Sequence, residues 1–284
     1  MMKQLLIYIF ALCFLLNIEA ADNLAKDKLV AWCIVPFDAK QRGPAERAEM
    51  LVRLGLKRVA YDWRAKHVKE FEQEILQYKK HGLEFFAFWS VHEDAFRLFQ
   101  KYKIHPQIWH MMGASKADTQ PARVEAAAKA MLPLLKRTQQ LGCKLGLYNH
   151  GGWGGEPENL VAVCEYLRKH HNAKHVGIVY NFHHGHEHIA NFEKSLQLMK
   201  PFLHCLNLNG MNNNAEPKVL QLGRGQHEAA MIATIKKVGY TGPIGILDHR
   251  GDTDTEVALR ENLAGMKKLL HQLGAEDTLK TYQK

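Results

Sequence analysis

The chain predicts an α/β protein, a single-domain (β/α)8 barrel, on three observations. Short apolar runs alternate with amphipathic segments, the alternation repeats eight times, and residues 21–284 are the right length for a barrel of ~250 residues. A near-continuous apolar run reads as a strand buried on both faces, which a parallel sheet covered by helices requires.

LVAWCIV (29–35) is the first such strand. A loop with Pro36, Gly43 and Pro44 leads into the helix AERAEMLVRLGL, which closes at Gly55. KRVAYDW (57–63) is the second strand, and HVKEFEQEILQYKKHGL is its helix with Gly82 as the C-cap. EFFAFWS (84–90) and PQIWHMM (106–112) follow, separated by the helix EDAFRLFQKYKI. The alanine-rich helix after them contains Pro133, which is expected to kink it. KLGLYNH (144–150) precedes PENLVAVCEYLRKHH, started by Pro157 at a first-turn position. VGIVYNF (176–182) and HCLNLNG (204–210) are strands six and seven, and PIGILDH (243–249) is the eighth, before the closing helix TDTEVALRENLAGMKKLLHQL. No GxGxxG follows the first strand, which argues against an open dinucleotide-binding sheet.

Residues 1–20 stand apart. Lys3, the apolar run from Leu5 to Leu16 and the small residues Ala20 and Ala21 read as a cleavable signal, so the barrel at 21–284 is expected to be exported, periplasmic or secreted. The apolar run is shorter than the ~20 residues of a spanning helix, so no membrane partner is expected after cleavage. The net charge of +9 comes from Lys and Arg spread along helical segments without aromatic interleaving, which points to a solvated exterior and not to nucleic acid. Cys33, Cys143, Cys164 and Cys205 form no CxxC pair and read as buried free thiols.

In such a barrel the loops after the strands converge on one face. The residues there include Asp62, Trp63, Asn149, His150, Asn181, His184, Asn207, Asn209, Asp248, His249 and Arg250. Amides, imidazoles and carboxylates beside aromatic rings suit a polyol ligand, whose CH faces stack on Trp while its hydroxyls take hydrogen bonds.

YNHGGWGGEPEN, VGIVYNFHHGH, LNLNG, the LGRG loop and the closing GY-TGPIGILDH together resemble the xylose isomerase-like, sugar phosphate isomerase/epimerase barrel superfamily, over essentially all of residues 21–284. The resemblance implies proton transfer on a keto sugar around a divalent metal held by carboxylates and histidine. The chain departs from that pattern: Tyr148 stands at the strand-five Glu position, Asn181 at the strand-six Asp, Asn207 at the strand-seven His, and Leu247 or Asp248 at the strand-eight Glu. Asn149, His150 and His184 match. With the carboxylates thinned, the remaining donors suit Zn²⁺, Mn²⁺, Co²⁺ or Fe²⁺ better than Mg²⁺.

The expected catalytic groups are His150, Glu156, His184 and Asp248, and the expected metal ligands are His150, His184, His186 and Asp248. Glu156 reads equally as a carboxylate favoured by a helix N-terminus. Trp63, Asn149, Trp153, Asn181, Asn207, Asn209, His249 and Arg250 are the expected sugar contacts, with Trp63 and Trp153 read either as sugar platforms or as packing. The resulting expectation is a sugar isomerase or epimerase. A keto-sugar lyase or hydratase and a non-catalytic sugar-binding barrel are the alternatives.

Overall fold

The computed structural model describes residues 22–283; the predicted export segment, residues 1–20, lies outside them. Eight parallel strands close into a barrel in chain order. They are β1 (Val30–Trp32), β2 (Arg58–Asp62), β3 (Glu84–Trp89), β4 (Gln107–Met111), β5 (Leu145–Tyr148), β6 (Val176–Asn181), β7 (Leu203–Leu208) and β8 (Ile244–Leu247). The helices between them are α1 (Pro44–Leu54), α2 (Phe71–His81), α3 (Glu93–Tyr102), α4 (Gln120–Gln140), α5 (Pro157–His171), α6 (Phe192–Met199), α7 (Glu228–Lys237) and α8 (Thr255–Gln272). A short α9 (Glu276–Lys280), not expected from the sequence, ends the fold.

All eight strands fall on the expected apolar runs. β1 is shorter than expected because Cys33 takes a φ of 60°, which removes it from the extended region. Gly55 and Gly82 stop α1 and α2 in the left-handed conformation, and Pro157 opens α5. α4 runs through Pro133 as one element. The four cysteines among the described residues, Cys33, Cys143, Cys164 and Cys205, are buried and free, as expected. Among the described residues no helix is long and apolar enough to cross a membrane.

Alternation along the strands divides the apolar residues into two cores. One lies between the strands and the helices, built from residues such as Val59, Tyr61, Phe88, Leu147 and Ile178. The other fills the barrel itself: Val30, Trp32, Ala60, Phe86, Trp109, Tyr148, Val179, Cys205 and Leu247. Two indoles and a phenol fit in so narrow a space, with Trp89 packed against them, because other inward positions carry no side chain. A Cβ at Gly146 would meet Val179 and Trp109, and one at Gly245 would overlap Asn207 Oδ1.

Closure joins the first strand to the last, with Trp32 in register with Leu247. Polar contacts reinforce the seam. Asp38 Oδ1 accepts from Thr255 N–H (3.2 Å) and is paired with Arg42 (2.8 Å). Asn23 Nδ2 donates to the Gly242 carbonyl (2.8 Å), and the Tyr282 hydroxyl donates to the Leu24 carbonyl (2.7 Å).

Candidate active site at the barrel mouth

Inward parity at the strand ends selects what reaches the mouth. Tyr148 faces the barrel interior, so Asn149 turns aside and His150 turns in again. Asn149 locks the adjoining strand: its Oδ1 accepts from Asn181 N–H (2.7 Å) and its Nδ2 donates to the Asn181 carbonyl (3.1 Å). Asn181 in turn accepts from His183 N–H through Oδ1 (3.1 Å) and donates to the Tyr148 hydroxyl through Nδ2. These bonds fix the short turn Phe182–His184, which carries two imidazoles onto the mouth.

The result is a row of rings in contact across the open end. Trp89 stacks on His150 (ring centroids 6.2 Å), His150 meets His184 (4.3 Å), His184 meets His183 (4.6 Å), and His183 meets His249 (4.7 Å). Phe37 covers His249 at 3.9 Å. Burial, reinforced by the neighbouring imidazoles and Lys218, pushes His184 down to about 2; burial, His249 and Lys218 push His183 down to about 3. Both are neutral at physiological pH. His249 is lowered for the same reason.

Beneath the row lies a floor of buried polar atoms. Trp32 Nε1, Asp62 Oδ1, Asn207 Nδ2 and Asn209 Oδ1 have no partner in the protein, and neither does His183 Nδ1 in the row itself. Leaving such an atom unsatisfied costs about 1–3 kcal/mol, so each is a place where a hydroxyl-bearing ligand gains. Asp62 is 1% exposed, and burial pushes its carboxyl up to about 7 against the opposing pull of Arg64. Open clefts elsewhere, such as that beside α5 lined by Tyr166, Arg168 and Phe202, bring no comparable set of groups together.

Several expected site residues face elsewhere. Trp63 points outward and packs against Phe71, Phe88 and His92, because Asp62 before it points in. Trp153 donates through Nε1 to Gln120 (3.0 Å) at the start of α4. Asp248 follows the inward Leu247 and therefore turns out, accepting from Thr255 Oγ1 (3.1 Å); burial raises it to about 7. Arg250 pairs with Glu261 of α8 (2.6 Å). Glu156, the residue before α5, pairs with His188 (3.3 Å).

The expected metal centre is corrected by these placements. His150 and His184 adjoin, but Asp248 is engaged with Thr255, and His186 holds the Asn212 carbonyl through Nδ1 (2.9 Å). Among the described residues no three His, Cys, Asp or Glu side chains gather as a ligand set. These residues do not fit a zinc-type site, which takes at least three converging protein ligands. Conversely, Asp62 and Tyr148 were placed at strand ends by the sequence but were given no catalytic, binding or metal role. The signal for Asp62 was a lone carboxylate two residues after the small inward Ala60 in the strand RVAYD.

A family profile described as xylose isomerase-like TIM barrel matches residues 58–269, and the chain belongs to that family. No curated protein matches the chain in sequence. Among solved structures, it is similar to a 3-keto-D-glucoside 4-epimerase of E. coli in the apo form (14% identity, TM-score 0.63), covering 86% of this chain and 100% of that one. It is also similar to a D-allulose 3-epimerase of Methylomonas sp. (12% identity, TM-score 0.64; 87% and 99% covered). A third is the probable 3-DHS dehydratase of Bacillus anthracis (14% identity, TM-score 0.64; 85% and 98% covered). At these identities the likeness is one of fold.

Proposed function

We propose that this xylose isomerase-like barrel is a carbohydrate enzyme that moves a proton on the carbon beside a sugar carbonyl, as an isomerase or epimerase. The observation that carries this reading is the row of imidazoles in contact beside buried, unpartnered polar atoms. Titratable groups are not needed merely to bind a polyol; they are needed to move its protons. His150 is the exposed member of the row and is held against Trp89 and His184, so it is assigned as the proton acceptor. His184, kept neutral, offers a ring N–H or a lone pair to a substrate hydroxyl. Asn207 and His183 complete the polar contacts, while Trp89 and Phe37 present ring faces to sugar CH groups.

The proton balance is simple. The C–H bond breaks toward His150, its electron pair forms a C=C bond, and the carbonyl π pair moves onto oxygen to give an enediolate. Return of a proton to the opposite face of the same carbon completes epimerisation; return to the former carbonyl carbon, with the neighbouring hydroxyl proton passing to the other enediolate oxygen, completes isomerisation. Solved neighbours that carry epimerase names support the substrate class.

The test is ¹H NMR in D₂O with D-fructose, D-allulose and a methyl 3-keto-glucoside. Deuterium uptake at the carbon beside the carbonyl, lost in His150→Gln, is the expected result. Loss of a β-substituent with the same exchange would make the enzyme a lyase; saturable binding without exchange would make it a sugar-binding barrel. We also propose that residues 1–20 export the barrel, which fractionation of cells expressing the full chain and a variant lacking residues 1–20 checks.

A further inference from the structure

An enediolate oxygen must be stabilised while it carries charge, and among the described residues the donors for a metal do not converge. The floor of the mouth offers another means. Tyr148 stands at the inward end of β5, and its hydroxyl accepts from Asn181 Nδ2, which leaves its own proton free to be donated. The Trp32 ring meets it edge-on (centroids 6.2 Å), and Trp32 Nε1 is a buried donor without a partner. Trp32 is in register with Ala60, so Asp62 lies two residues further along the same inward face, with Oδ1 buried and unpartnered. Trp89 and Leu247 keep this corner apolar.

We propose that the Tyr148 hydroxyl, the Trp32 indole N–H and the Asp62 carboxyl form an oxyanion site that holds the enediolate oxygen by hydrogen bonds in place of a metal ion. The inference rests on the proton-transfer reading of the mouth. A phenol beside a protonated carboxylic acid in an apolar site is an effective arrangement for an enolate, because both groups donate without giving up their protons. Burial raises both acids here: the Tyr148 phenol stands above its ordinary value, and the Asp62 carboxyl is pushed up to about 7, so its proton is present on the acid side of that value. No proton leaves either residue during the step. The charge that forms on oxygen when the carbon loses its proton to His150 is shared over three hydrogen bonds and disappears when carbon is reprotonated.

Two measurements test it on the full chain. The first is deuterium exchange on the keto-sugar panel by protein treated with EDTA and checked for residual metal. Wild type is expected to exchange equally before and after chelation. Tyr148→Phe and Asp62→Ala should each lose about 100-fold in kcat with KM little changed, while Asp62→Asn, whose amide still donates, should retain more than Asp62→Ala. Exchange that stops on chelation and returns with Zn²⁺ or Mn²⁺, or variants that match wild type, would overturn the proposal. The second measurement does not depend on turnover: calorimetric binding of L-threonohydroxamate, an enediolate mimic, to the chelated protein. Binding weakened at least tenfold in Tyr148→Phe and Asp62→Ala supports the site; no binding by wild type, or equal binding by all forms, refutes it. Hydroxamate binding without exchange of any sugar would count against the proton-transfer reading alone. Circular dichroism confirms that each variant is folded.

Discussion

The two ends of the barrel interior treat the same kinds of group in opposite ways. At the end where the strands begin, Trp109 Nε1 donates to Gln107 Oε1 (2.9 Å), and Gln107 Nε2 donates to the His204 carbonyl (3.3 Å). Arg58 there is paired with Glu84 (2.7 Å) and lies over the Phe86 ring. At the other end Trp32, whose ring centroid is only 4.9 Å from that of Trp109, leaves its indole N–H without a partner, and Asp62 and Asn207 do likewise. Buried polar groups in proteins are almost always satisfied, so the contrast separates an end built for stability from an end built to receive something. Unpartnered atoms also surround the buried Arg47–Glu74 ion pair beneath α1 and α2, but those belong to a charged pair sealed between helices.

Substitutions at the two ends should separate stability from activity. The largest effect is expected at the mouth: His150→Gln should lower proton exchange by 10²–10⁴-fold while leaving the melting temperature near that of wild type. A parallel drop in melting temperature would place His150 among the structural residues. Next comes the closed end, where Trp109→Ala should destabilise the fold by about 3–5 kcal/mol in urea unfolding, from lost packing and the cavity left behind.

Asp62→Asn should raise stability at pH 8 by on the order of a few kcal/mol, and the gain should vanish below about pH 4. An unfolded aspartate loses its proton near 3.9, whereas folded Asp62 keeps it to about 7. Between those values the folded state binds the extra proton, so the native residue subtracts stability as pH rises, and the asparagine does not. His183 and His184 act in the opposite sense: unfolded they take up a proton near 6.5, folded only near 3 and 2, so their contribution is lost as pH falls below about 6.5. A gain that is flat with pH would show that Asp62 is not held neutral.

The smallest effect is expected for Gln107→Ala, about 1–3 kcal/mol, because the Trp109 N–H is then left as unpartnered as that of Trp32. If exchange activity fell as well, the two ends would not be independent.

How far the sequence was legible follows from the same geometry. Apolar runs located all eight strands, and Gly55, Gly82 and Pro157 punctuated the helices as their chemistry requires. Which side chain at a strand end enters the mouth was less legible. The names at the ends of β2 and β8 were readable, but direction alternates residue by residue, and the register shifts at Val59/Ala60 and Ile178/Val179 depend on neighbouring strands. Trp63, Asp248 and Arg250 therefore fell outside the mouth, while Asp62 fell inside it. Tyr148 was seen only as a glutamate that was missing; the Asn181 donor and the Trp32 ring beside its hydroxyl come from other strands and became visible only in the fold.

The seam between β1 and β8 also sets an order of events. The first strand has only one neighbour, β2, until residues 244–247 exist, and Asn23, Leu24 and Asp38 reach across more than two hundred residues to Gly242, Tyr282 and Thr255. A chain that emerges from its N-terminus must therefore hold an exposed apolar edge for nearly the whole of its synthesis. For this barrel the vulnerable period is the wait for the last strand, and a nascent chain stalled before β8 is the form a chaperone would have to shield.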